Sequence, residues 1–360
     1  IKIPTGPVYG VMINGKEFID ELGGNQSSIK DIFQHKKDSK ITLVRIAINF
    51  DDVLLSKNLA LEIKKLGYTV ALNMMQSHGK ATKQYIETSQ EINNWNLYSI
   101  LYFADSLGNM TPKDIKKICL SIKKGWSGPL GIHTHNNKNL ALINSITAIE
   151  NGVTWCDSTV NGMGRGAGNV STENLLLEVS NLGYHRYKPK MMQSTVDDFA
   201  IMKNKYGWGS NLYYHYAANN NIHPTFVQSL LQDKRYKNEQ VFSALEFLAT
   251  QDSSSFSADV VRQAIYGNQD ELSGSWDATD WLNEKHVLIV GAGKSVKKYK
   301  EGILQYINNN KPIVLFININ RYLDPAIADA TIVSDETRAL FDSQFYNNLN
   351  HSIILPKARL

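Results

Sequence analysis

The sequence predicts an α/β protein of parallel strands, followed by a helical extension and a second, smaller α/β domain. Three observations carry this reading. Residues 1–182 alternate short β-rich runs with amphipathic helical runs, the pattern of parallel βαβ units. Residues 188–267 carry helical patterns without strands between them. Near residue 285 a clean strand, a glycine turn and a helix start a new alternation.

The strands of the first part fall at 8–13, 41–48, 69–74, 99–104, 130–133 and 154–157. They are apolar on both faces, as strands covered by helices must be. Helical patterns lie between and after them, for example at 56–66 and 112–123, with 139–150 and 171–182 completing the series; Thr111 and Pro112 are N-cap and first helical position of the second. That makes six βα units, whereas a (β/α)8 barrel needs eight. Six alone would leave two open edges and an exposed lumen. The sheet is therefore either open, or part of a barrel whose first two units precede residue 1; the motifs below favour the barrel. The first residues, Ile1-Lys2-Ile3-Pro4, lack Met and any signal-peptide pattern and read as the middle of a longer chain.

Further helices are expected at 196–206, 212–219, 224–231, 238–249 and 258–266, with a polar turn at 253–257 and a linker at 268–279. Strands at 286–290, 313–317, 330–333 and 352–355 complete a Rossmann-like α/β pattern. The expected division is a partial barrel at 1–185, a helical extension at 186–267, a linker at 268–284 and a C-terminal α/β domain at 285–360.

Composition narrows the function classes. Net charge is +4, and the lysines are scattered; the densest group, Lys297, Lys298 and Lys300, reads as a solvated helix face rather than a nucleic-acid surface. The two cysteines, Cys119 and Cys156, stand alone, which speaks against a disulfide framework and fits a cytoplasmic setting. No apolar run reaches the roughly 18 residues of a membrane span.

Chemistry concentrates at the strand ends. His133 and His135 sit two apart on a strand, so both imidazoles face one side, at the end where barrel enzymes place their sites. Neutral imidazoles suit a divalent transition metal; the blander alternative is two hydrogen-bonded loop residues. Asp157 ends the next strand and leads into Gly162, Gly164, Gly166 and Gly168, a bent loop whose backbone can approach a ligand closely. This is not a dinucleotide fingerprint, because the glycines alternate every second residue. Asp105 with Ser106, and Asn73, place polar groups at two further strand ends, and Asn137 follows the histidines. Arg45 lies within an apolar strand, where it needs either an ion pair or a substrate carboxylate.

The ordered set His133-Thr134-His135-Asn136-Asn137, Asn144, Asp157 and Gly162-Met163-Gly164-Arg165-Gly166-Ala167-Gly168-Asn169 resembles the 3-hydroxy-3-methylglutaryl-CoA lyase-like metallolyase superfamily, in its 4-hydroxy-2-oxovalerate aldolase-like branch. The resemblance covers residues 8–182 and, less closely, the helices to about 250. It implies a TIM barrel in which His133, His135 and Asn169 bind a divalent metal, Mn²⁺ first, with Mg²⁺ or Co²⁺ as alternatives. It implies catalytic roles for Asp105, Arg45 and Asn73, and substrate contacts from Asn137, Asp157, Gly164, Gly166 and Gly168. The implied reaction makes or breaks a carbon–carbon bond through a metal-stabilised enolate of a pyruvate-like 2-oxo acid, with an aldehyde as partner. A homodimer, and a dehydrogenase docked on the helical extension, are partners the resemblance allows.

The sequence departs from the pattern in one respect. The Arg-Asp pair of the family's first barrel strand, whose Asp is a metal ligand, is absent. An acyl-CoA-dependent Claisen-type synthase on the same barrel, and a degenerate barrel serving as scaffold, are the alternatives. An amidohydrolase-type barrel fits poorly, since its His-x-His lies on the first strand and here only one strand follows the motif. In the C-terminal domain, Gly291-Ala292-Gly293-Lys294-Ser295 lacks the leading glycine of a P-loop, because position 288 is Leu. It reads as a structural turn or a weak phosphate cradle.

Overall fold

The computed structural model describes residues 4–19, 29–184, 188–233, 236, 238–266, 278–333 and 343–355. The linker expected at 268–279 lies almost wholly outside them. The chain divides into two compact units: residues 1–233 with 238–257, and residues 234–237 with 258–360.

Unit 1 is built on six parallel strands in sequential order: β1 (Gly10–Asn14), β2 (Leu43–Asn49), β3 (Thr69–Met75), β4 (Ile100–Asp105), β5 (Leu130–Thr134) and β6 (Trp155–Cys156). Helices α1 (Lys57–Lys65), α2 (Thr82–Trp95), α3 (Pro112–Ile122), α4 (Ala141–Glu150) and α5 (Thr172–Asn181) follow the strands from β2 onward. The capping predicted for α3 is present. Asp114 N–H donates to Thr111 Oγ1, and the Asp114 carboxylate accepts from Thr111 N–H at 2.9 Å. Two otherwise orphaned donors at the helix start are satisfied in this way.

The register sorts every strand into two faces. Val44, Ile46 and Ile48 on β2, Val70, Leu72 and Met74 on β3, and Leu101 and Phe103 on β4 face the helices and form the main core with Leu59, Ile63, Ile115 and Ile118. The opposite face carries Arg45, Asn73, Tyr102, Ala104, Gly131 and His133. The expectation of strands apolar on both faces therefore holds for one face only. The other is polar, broken by the small apolar cluster Leu43, Ala71, Ile100 and Tyr102. On that face Met12 of β1 is 54% exposed and Trp155 of β6 is 40% exposed.

The sheet curls. In a flat sheet β2 and β6 would lie about 19 Å apart, at 4.7–4.9 Å per strand. Yet Arg45 on β2 bonds Asp157, the residue after β6, at 2.9 Å. Only closure toward a barrel brings those positions together.

The helical extension of unit 1 consists of α6 (Gln193–Tyr206), α7 (Leu212–Asn219), α8 (Pro224–Gln232) and α9 (Asn238–Ala249). Among the described residues no helix is long and apolar enough to cross a membrane.

Unit 2 contains a four-stranded parallel sheet in the order β10-β9-β8-β7: β7 (Val287–Val290), β8 (Ile313–Ile317), β9 (Ala330–Ile332) and β10 (Ser352–Ile354). Helices α10 (Ala258–Tyr266), α11 (Thr279–Leu282), α12 (Lys294–Lys298), α13 (Lys300–Asn310) and α14 (Ser343–Tyr346) accompany it. Val290, Val314, Phe316 and Leu323 anchor its core. The strand order runs one way, so among the described residues there is no reversal of the kind that forms the ligand crevice of doubly wound sheets.

Candidate metal centre

His133 lies on β5 and His135 just beyond it, at the strand's C-terminal end. Between them Thr134 points to the helical layer, where its hydroxyl bonds Ser145 at 3.0 Å. That contact fixes the pleat and turns both imidazoles to the lumen face.

Each ring is then fixed by a partner at Nδ1. His135 Nδ1 lies 3.1 Å from the Asp105 carbonyl and 3.0 Å from the Ser106 carbonyl. Carbonyls only accept, so Nδ1 carries the proton and Nε2 presents a lone pair. His133 Nδ1 lies 2.8 Å from Asp157 Oδ2. Burial opposes ionisation of Asp157, but the hydrogen bonds from His133 and Arg45 and the Arg45 charge outweigh it and hold the carboxyl below its usual range. An ionised carboxylate accepts, so His133 carries a proton at Nδ1, and in the neutral ring Nε2 is then a lone pair. The two Nε2 atoms face each other at 3.2 Å with the rings perpendicular.

Two lone pairs at that distance repel unless a proton or a cation lies between them. A proton is disfavoured at His135: burial first, then the neighbouring His133, lowers its pKa to about 4. A divalent cation held by both nitrogens would relieve that repulsion, and neutral imidazoles suit such an ion. The pattern of metal-binding imidazole with its second nitrogen hydrogen-bonded to carboxylate or carbonyl is complete on both rings.

The glycine loop supplies a third donor. Residues 135 and 169 pair in an antiparallel bridge, and Asn136 N–H donates to Gly168 O at 2.9 Å. Asn169 therefore lies alongside His135. Its Nδ2 donates to Met163 O at 2.9 Å, while its Oδ1 is buried without a protein partner. Gly168 is required here: its φ is +76°, and a Cβ would overlap the Gly162 carbonyl. Among the described residues no three His, Cys, Asp or Glu side chains gather closely enough to hold an ion. The candidate protein donors are thus two imidazoles and an amide oxygen.

The remaining expected residues separate. Arg45 forms a two-pronged pair with Asp157, at 2.9 Å to Oδ1 and 2.8 Å to Oδ2. Asp105 reaches the site through its carbonyl, not its carboxylate. It pairs in register with Thr134, on the helix face, where Oδ1 accepts from Asn109 N–H at 2.9 Å and Met110 N–H at 3.2 Å. Oδ2 has no partner, and burial pushes the Asp105 carboxyl up to about 7. Asn73 does face the lumen, is 3% exposed, and leaves Oδ1 unpartnered. Asn137 is buried with its side chain against Gly108, and its carbonyl accepts from Ser210 Oγ at 2.7 Å. Gly164 lies against the Asn169 side chain and Gly166 against the Tyr214 ring, so these glycines serve close packing of the loop.

Several residues at the site escaped sequence reasoning. The Tyr102 ring lies under the Arg45 guanidinium at 4.6 Å, and Gly131 has no Cβ because that ring occupies the space. Tyr102 could have been found by strand parity with Ala104. Trp208 Nε1–H donates to Asn161 O at 3.0 Å, and Gly209 N–H to Gly166 O at 3.0 Å, so the segment before α7 braces the glycine loop. No local signal marks those residues. A cleft of about 700 Å³ opens beside Asn169, with Asn136, Asn139, Asn161 and Asn211 in its wall.

The curled parallel sheet with a histidine pair on one strand end and a glycine loop beside it defines a (β/α)-barrel-type domain with a candidate metal centre. Residues 33–203 match the HMGL-like family model, the family this part of the chain is similar to. Over 173 residues the chain is 31% identical to a 4-hydroxy-2-oxovalerate aldolase of Geobacillus genomosp. 3, covering 48% of this chain and 49% of that protein. The chain thus spans about half the length of the curated relatives it matches. Among solved structures, the N-terminal domain of a Bacteroides vulgatus protein named as an aldolase is 28% identical, with a TM-score of 0.55 over 63% of this chain and 73% of that one. The carboxyl transferase domain of Rhizobium etli pyruvate carboxylase, solved with pyruvate, shares the fold at 12% identity, with a TM-score of 0.57 over 72% of this chain and 47% of that one.

Proposed function

We propose that this chain carries the metal centre of a divalent-metal-dependent carbon–carbon lyase acting on a 2-oxo acid and an aldehyde. The observation that carries the reading is the facing pair of imidazole Nε2 atoms, 3.2 Å apart and each ring fixed by a partner at Nδ1. The similarity to 4-hydroxy-2-oxovalerate aldolases supports the reaction class. His133 and His135 would hold the ion, Mn²⁺ by preference, with Asn169 Oδ1 as the third protein donor. When bound, the ion supplies Lewis acidity that eases loss of a proton next to the 2-oxo carbonyl. The chain's own contribution is positional. Backbone carbonyls hold His135, Asp157 holds His133, and the braced glycine loop holds Asn169. Asn73 Oδ1, buried and unpartnered on the lumen face, is placed to accept a hydrogen bond from substrate or water. The amide-lined cleft supports a hydroxyl-bearing aldehyde over an apolar one.

The scaffold reading has one observation in its favour, the lack of a third His, Cys, Asp or Glu among the described residues. Deuterium exchange into the methyl group of pyruvate, in D₂O with Mn²⁺, separates the two. Exchange that depends on the metal and disappears in His135→Ala is the expected result. No exchange with pyruvate or other 2-oxo acids, despite tight Mn²⁺ binding, would establish the scaffold.

A further inference from the structure

Four side chains from four separate stretches are joined across the lumen face of unit 1. Tyr102 on β4 supports the Arg45 guanidinium, Arg45 on β2 grips Asp157 after β6, and Asp157 accepts from His133 on β5. Both Asp157 oxygens are engaged: Oδ1 by Arg45, and Oδ2 by Arg45 and His133. Arg45 spends both terminal nitrogens on this one carboxylate. Its charge is therefore neutralised inside the protein.

We propose that Arg45 and Asp157 are positioning residues for His133, and that neither takes the substrate's carboxylate. Asp157 selects the Nδ1–H tautomer and so aims the Nε2 lone pair at the ion. Arg45 fixes the rotation of the Asp157 carboxylate, because a planar fork matches both oxygens at once where an ammonium would hold one. Tyr102 keeps the guanidinium flat against the barrel floor, in space opened by Gly131. The proposal rests on reading His133 as a metal ligand, and the test separates the two.

The metal-free 360-residue chain, labelled with ¹⁵N-histidine, is examined by long-range ¹H–¹⁵N NMR, and Mn²⁺ alone is then titrated by calorimetry or EPR. Wild type should show His133 as the Nδ1–H tautomer. In Asp157→Asn the single amide oxygen should turn to Arg45 and the NH₂ to His133, switching the ring to the Nε2–H tautomer. Mn²⁺ affinity should fall 10–100-fold. Arg45→Lys should keep the tautomer and lose affinity by a smaller factor. An Nε2–H tautomer in wild type, or an Asp157→Asn variant with unchanged tautomer and Mn²⁺ affinity within twofold, overturns the proposal. Should Asp157→Asn fail to fold, the wild-type tautomer and Arg45→Lys decide it. Wild type with the Nδ1–H tautomer and no Mn²⁺ binding supports the positioning and overturns the metal reading alone.

Discussion

Each unit sends a glycine-bearing loop out of the end of a parallel strand, and the two loops behave differently. In unit 1 the loop from Gly162 to Gly168 lies against the residues beyond β5, and an added Cβ at 164, 166 or 168 would collide with Asn169, Tyr214 or backbone. In unit 2 the loop after β7 is open: a Cβ at Gly291 would meet nothing within 4 Å, and Gly293 caps the five-residue helix α12 with no side-chain hydrogen bond. Glycines permit a tight loop in both places. Only in unit 1 does the loop bring a buried, unpartnered amide oxygen beside two imidazoles. A site needs strand register that stacks polar side chains on one face, and a loop held against them from outside.

The sharpest way to break this comparison is His135→Ala. Removal of one imidazole should weaken Mn²⁺ binding by more than about 100-fold, beyond the effect expected of an outer-shell partner, as read by calorimetry. Equal binding in the variant would mean that the histidine pair is not the centre. Gly168→Ala should destabilise unit 1 by about 2–4 kcal/mol in chemical denaturation, through positive φ and overlap with Gly162 O. Gly291→Ala should stay within about 0.5 kcal/mol of wild type. Similar costs at both positions would erase the distinction between the loops.

Asp105 tests whether the neighbouring strand end belongs to the helical layer, as its geometry indicates. Its folded carboxyl titrates at about 7, above the ordinary 3.8, because burial favours the protonated form. The folded state therefore holds this proton more tightly than the unfolded chain. The resulting stability is fully present below about pH 4 and is lost as pH rises through 7. Asp105→Asn should flatten the stability–pH curve across that window; an unchanged slope in denaturant titrations at several pH values would refute it. The smallest effect is expected for Trp208→Phe, which deletes the donor to Asn161 O. About 1 kcal/mol of stability should go with it, with a few-fold loss of Mn²⁺ affinity as the loop loosens.

Much of the centre was legible. The spacing of His133 and His135 gave a shared face from strand periodicity alone, and the glycine run marked a close-packed loop. The same periodicity, carried through β4, separates Asp105 from Tyr102 and Ala104, but it requires knowing where the strand ends. Arg45 left two readings open, substrate carboxylate or ion pair, because its partner lies 112 residues away. Trp208 and Ser210 were silent, since a bracing hydrogen bond to a distant backbone carbonyl leaves no trace in local sequence.

What the sequence determined by itself is everything set by short-range periodicity and chain stereochemistry: six parallel strands alternating with helices, the capped start of α3, the helical extension, a second parallel sheet, and a pair of imidazoles on one strand face. What only the tertiary structure decided is which polar groups meet. The curl of the sheet places Arg45 on Asp157, and strand register turns Asp105 toward the helices. Both follow from how far strands are displaced and rotated relative to one another, and that depends on packing summed over the whole barrel rather than on any one segment.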